Sequence, residues 1–130
     1  MIEKEIKFKG LDGKVHSETW FFNLNEAEVT RLEASFDGGM VAYIESFDEN
    51  TPKAVVLALF EKLLQLSVGK VSDDGTRFIK SDEIVGDFLA SPAYSALFVE
   101  LGSDTDSATS FFNNVLSKTY VEPPRPKSAQ

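Results

Sequence analysis

The chain contains no cysteine and a single histidine. Without thiols there can be no disulfide, no thiolate metal site and no cysteine nucleophile, a composition that fits a cytosolic setting. His16 has no second imidazole with which to complete a metal site or a catalytic base, and its place in a strand pattern beside a turn makes it a surface residue. Long apolar runs are missing as well. Glu61 and Lys62 interrupt the best candidate short of the roughly 18 residues that suggest a membrane span, and the opening M-I-E-K-E-I-K-F-K lacks the apolar core of a signal peptide, so neither membrane insertion nor secretion is expected. Gly10-Leu11-Asp12-Gly13-Lys14 spaces its glycines too closely for a phosphate loop and has no Ser or Thr after the lysine. Calcium loops fail in the same way. Asp73-Asp74-Gly75 would place Lys70 and Ser72 at the first and third ligand positions, and Asp104-Thr105-Asp106 lacks the glycine and closes on Val115. Asp82 and Glu83 stand at a helix start, where the helix dipole accounts for them without acid–base chemistry. The sequence therefore predicts no enzyme, no metal and no cofactor.

What is present is acid and aromatic carbon. The 130 residues carry a formal charge of −8, and since Glu122, Arg125 and Lys127 leave the stretch after Lys118 at +1, the part before it holds −9. Such a body repels nucleic acid and anionic membrane surfaces, so neither is expected as a partner. Eleven phenylalanines, three tyrosines and one tryptophan can fill a core or line a groove for an apolar partner segment.

Met1 to Phe22 reads as a β-hairpin turning at Asp12-Gly13. A two-residue turn there makes paired numbers sum to twenty-five, gathers Ile2, Ile6, Phe8, Val15, Thr19 and Phe21 on one face, and leaves Trp20 and Phe22 among charges on the other. Aromatics so placed need a covering helix or a partner. Asn25 and Glu28 open a helix over 26–35, a second runs from about Met40 to Phe47, and Ser81 and Ser91-Pro92 start two more, carrying Ile84, Val85, Phe88 and Leu89, then Tyr94, Leu97, Phe98 and Leu101. A last helix follows Asp104 or Asp106 to about Lys118. The strongest element is Pro52 to Ser67, read with Thr51 as cap and Gly69 as left-handed stop. Val55, Val56, Leu57, Leu59, Phe60, Leu63, Leu64 and Leu66 occupy almost its whole circumference, so other elements should wrap it. Val68 to Ser81 shows no periodicity and reads as a loop, in which Asp74-Gly75 could form a tight turn or a small second hairpin. The expected fold class is α+β, mostly α: an N-terminal hairpin packed on five or six short helices around a central apolar helix. One domain spans 1–118, with hairpin 1–22 and helices 26–118, and a Pro-rich flexible tail covers 119–130.

The segment Asp74-Gly75-Thr76-Arg77-Phe78-Ile79-Lys80-Ser81, then Phe88, then Ser91-Pro92-Ala93-Tyr94-Ser95-Ala96-Leu97-Phe98-Val99-Glu100-Leu101, resembles a signature of the tail assembly chaperones of long-tailed, siphovirus-type bacteriophages. In that family a hairpin with an aromatic second strand, helices, an R-F-x-K-S type segment and an A-Y-S-x-L-F-x-E-L type helix come in this order. Here the order is kept from the hairpin to about Leu116. The matching positions are Arg77, Phe78, Lys80, Ser81, Phe88, Ala93, Tyr94, Leu97 and Phe98, of which Ser81 also has a capping explanation and Phe88, Leu97 and Phe98 a core explanation. The resemblance implies a non-enzymatic protein of the host cytoplasm, absent from the finished virion. It would bind the tape measure protein, keep it soluble and aid polymerisation of the tail tube around it, with the tail tube protein as a second partner and weak self-association allowed. Partner contacts are expected at Trp20, Phe22, Phe78, Tyr94 and Phe98. The alternative from composition is an acidic DNA mimic that inhibits a DNA-binding enzyme.

Overall fold

A computed structural model describes residues 1–117; the tail expected at 119–130 lies outside the described residues. Strands β1 (Ile2–Lys9) and β2 (Val15–Phe22) form the expected hairpin, in a different register. The Gly10 N–H donates to the Lys14 carbonyl at 2.8 Å and the Gly13 N–H to the Gly10 carbonyl at 2.9 Å, so Leu11, Asp12 and Gly13 make a three-residue loop with Gly13 at φ +80°. The Asp12 carboxylate secures it by accepting the Lys14 N–H at 2.9 Å and bonding His16 Nε2. Ile2 then faces Phe22, paired numbers sum to twenty-four, and every β2 side chain changes face relative to the two-residue reading. Trp20 and Phe22 join Ile2, Ile6 and Phe8 on the core side.

The stretch expected to be loop after Ser67 is instead a second hairpin. After β3 (Leu24–Asn25), α1 (Glu26–Ala34), α2 (Met40–Glu45) and α3 (Lys53–Ser67), the chain runs into β4 (Val68–Val71) and β5 (Phe78–Ile79), completing a sheet of order β1-β2-β4-β5. Both expected ends of α3 are corrected. Thr51 spends its hydroxyl oxygen on the Asp48 N–H at 2.9 Å, closing a turn, so Pro52 takes the cap position without a side-chain bond. At the other end Val68 is already extended, with φ −68° and ψ 139°. Gly69 is a close-approach glycine, since a Cβ there would lie 2.4 Å from the Phe78 ring and 2.5 Å from the Ile79 carbonyl oxygen.

The remaining helices follow their sequence signals. Asn25 and Glu28 form a reciprocal capping box on α1, while Ser81 and Ser91 cap α4 (Asp82–Ala90) and α5 (Pro92–Ser103), which meet at 77°. Helix α6 (Thr105–Val115) ends earlier than expected because Leu116–Ser117 becomes β6, parallel to β3. The result is the expected α+β class, mostly helical. Phe22, Leu64, Val68, Phe88, Leu97 and Val115 are its fully buried centre, between the inner face of the sheet and the helices. Helix α3 is only half wrapped: Leu59, Leu63 and Leu64 are buried, Val55, Val56, Leu57 and Phe60 are half-buried, and Leu66 is 41% exposed. Among the described residues no single helix is long and apolar enough to cross a membrane.

Candidate partner-binding surface

Helix α4 places Ile84 and Phe88 one turn apart on its buried side. The Phe88 ring collects others at centroid distances of 4.9 Å to Trp20, 5.4 Å to Phe22 and 5.3 Å to Tyr94. Tyr94 in turn lies 5.8 Å from Phe98, one turn further along α5. Three of the five expected contact residues thus converge on one ring, and Phe98 joins them through Tyr94. Phe78 stands apart on β5, over Gly69, with Lys80 Nζ 5.7 Å from its ring.

Exposure divides the set. Phe22 is 0% exposed and offers no surface; its candidacy rested on the charged-face register, which the three-residue loop replaces. Trp20, Phe78, Tyr94 and Phe98 are half-buried, each with part of its surface open. Trp20 donates its indole N–H to Glu18 Oε1 at 2.9 Å, and the same oxygen accepts the Ser91 hydroxyl at 2.6 Å. One carboxylate oxygen therefore ties β2 to the elbow between α4 and α5. Burial, and then the Glu61 carboxylate on α3 that faces its hydroxyl, raise the pKa of Tyr94 above the usual 10 and keep it a neutral donor.

One concave surface borders Trp20, and another lies between α1 and α3. Strands β2 and β4 diverge beyond Phe21 and Gly69, opening a cleft of about 630 Å³ walled by Trp20, Phe21 and Val71, with Glu18, Lys70 and Asp87 as its charged groups. Between α1 and α3 a groove of about 370 Å³ has Leu24, Leu32 and Leu66 for its floor and Arg31 and Lys62 at its rim. Both combine apolar walls with a few charges. His16 lines neither; it is exposed at the hairpin tip and stacked on Phe8 at 5.9 Å.

The sequence model of the family described as phage tail assembly chaperone matches residues 1–123. The chain belongs to that family. Comparison with curated proteins and with solved structures found no match.

In this chaperone the positions that carry the family resemblance have visible structural duties. Ser81 accepts the Ile84 N–H at 3.2 Å, Lys80 pairs with Glu28 of α1, and Phe88, Ala93 and Leu97 are each 0% exposed. Arg77 is exposed in the β4–β5 turn, its N–H held by the Ser72 hydroxyl at 3.0 Å. Sequence reasoning missed Thr19, Val71 and Asp87, because the cleft exists only once β4 is recognised as a strand beside β2. The available signal was Val68-Gly69-Lys70-Val71 before Asp74-Gly75, a short apolar run leading to a tight turn.

Proposed function

We propose that this chaperone binds the tape measure protein in the host cytoplasm, keeps it soluble and aids polymerisation of the tail tube around it. A protein of phage tail assembly acts on other tail proteins, and a tape measure chain must keep apolar surface from aggregating until the tube covers it. The observation that carries this reading is the half-open aromatic set Trp20, Tyr94 and Phe98 around Phe88, beside an apolar cleft, on a chain of charge −8. Apolar walls bind the client while the acidic exterior keeps the pair in solution. Weak, multiple contacts are expected, because growing tube subunits must displace the chaperone. Nothing in the fold favours the DNA-mimic alternative.

Co-expression tests the proposal. The tape measure protein from the same tail gene cluster, produced alone and with this chaperone, is expected to move from the insoluble to the soluble fraction and to co-purify. An unchanged soluble fraction with no co-purification would exclude the tape measure protein as client.

A further inference from the structure

In an antiparallel pair, residues that exchange hydrogen bonds alternate with residues that do not. Gly10 and Lys14 belong to the first kind, since the Gly10 N–H meets the Lys14 carbonyl at 2.8 Å. Counting by twos along the register, His16, Glu18, Trp20 and Phe22 turn their backbone groups toward β1, and Val15, Ser17, Thr19 and Phe21 turn theirs the opposite way. On that opposite side β4 engages the last part of β2 only: Phe21 faces Gly69, and the Asn23 N–H just beyond the strand donates to the Ser67 carbonyl at 2.8 Å. From Val15 to Trp20, no described strand pairs with β2 on that side. The backbone of Val15, Ser17 and Thr19 is an open sheet edge in the interior of the strand order, bordering the cleft where β4 bends away.

An exposed strand edge is a ready template for pairing with another extended chain. The cleft indicates what that chain carries. Its apolar wall is Trp20, Phe21 and Val71. Glu18 is committed to Trp20 and Ser91, whereas the exposed Asp87 on α4 and Lys70 on β4 have no ion pair among the described residues, so Asp87 stands as the open carboxylate and Lys70 as the open cation. We propose that the Val15–Thr19 edge accepts an extended segment of the client by strand addition. One inward side chain of that segment is apolar and rests on Trp20 and Val71; another on the same face is Lys or Arg and meets Asp87. This rests on the client reading above for its partner, and specifies the mode: backbone pairing with an extended segment rather than seating of a helix.

The test uses the full chain and the tape measure protein as probe. Ser17→Pro and Thr19→Pro each remove an N–H that the fold leaves unused, and Lys7→Pro does the same on the outer edge of β1. The two β2 variants are expected to bind the tape measure protein about tenfold more weakly or worse, with Lys7→Pro unchanged. Asp87→Lys is expected to weaken binding as well. Amide exchange in the wild-type complex supplies a second readout that needs no variant: Ser17 and Thr19 amides should become protected on binding. If wild type binds while the β2 variants bind equally well, or if those amides stay unprotected, strand addition is overturned and the client reading stands. Failure of wild type to bind overturns both.

Discussion

Phe88 and Asp74 show how differently single residues act in this chaperone. Phe88 is fully buried and touches rings from β2 and α5, so it organises the set whose edges remain open to a partner. Asp74 is exposed and acts through hydrogen bonds: the Ser72 hydroxyl at 2.7 Å, the Thr76 N–H at 3.0 Å and the Thr76 hydroxyl at 2.8 Å lower its pKa from the ordinary 3.8 to about 2. Because the folded state favours the charged form, the stability this provides is present above about pH 4 and is lost as pH falls toward 2. Asp74→Asn removes the dependence. Urea midpoints measured between pH 4 and 2 should therefore fall more steeply for the wild type than for the variant, and parallel curves would refute the assignment.

At the scale of elements, the β4–β5 hairpin shows how a glycine selects its neighbours. The Phe78 ring and the Ile79 carbonyl occupy the space a Cβ at Gly69 would need, so Gly69→Ala must push β5 away. An overpacking cost of about 1–3 kcal/mol is expected, read by denaturant unfolding, together with faster amide exchange in Lys70–Val71 and Phe78–Ile79. Helices were the legible part of this sequence, because caps are local: Asn25 with Glu28, Ser81, and Ser91 with Pro92 mark their starts within four residues. Strand register was not. Asp12-Gly13 allows a loop of two residues or three, and that difference sent Trp20 and Phe22 to the wrong face. Strand β4 escaped notice because its identity depends on partners 48 positions away, as with Phe21 and Gly69.

For the whole molecule, length and charge indicated one acidic domain and the resemblance a phage tail assembly chaperone, and the family match bears out the latter. The site was half legible: the aromatics that surround Phe88 could be named from sequence, but the cleft beside them is made by non-local pairing. Net charge has its own consequence. At −8 the chain's self-repulsion is expected to outweigh the two lysine–carboxylate bridges among the described residues, Lys4–Glu100 and Lys80–Glu28. Raising sodium chloride from 10 to about 200 mM shortens the Debye length from roughly 30 Å to under 10 Å, and the thermal midpoint at pH 7 is expected to rise. A midpoint that falls would mean that specific ion pairs outweigh the general repulsion.

The short parallel clasp of β3 with β6 also sets where attachments can go. It holds Leu116 beside Leu24, just past the Phe22 end of the first hairpin. Nine residues of extended chain separate Leu24 from Val15, a span of up to about 30 Å. A fluorophore or affinity handle joined behind Ser117 therefore starts out far from the turn of that hairpin, and a surface immobilised through it leaves the turn facing the solution.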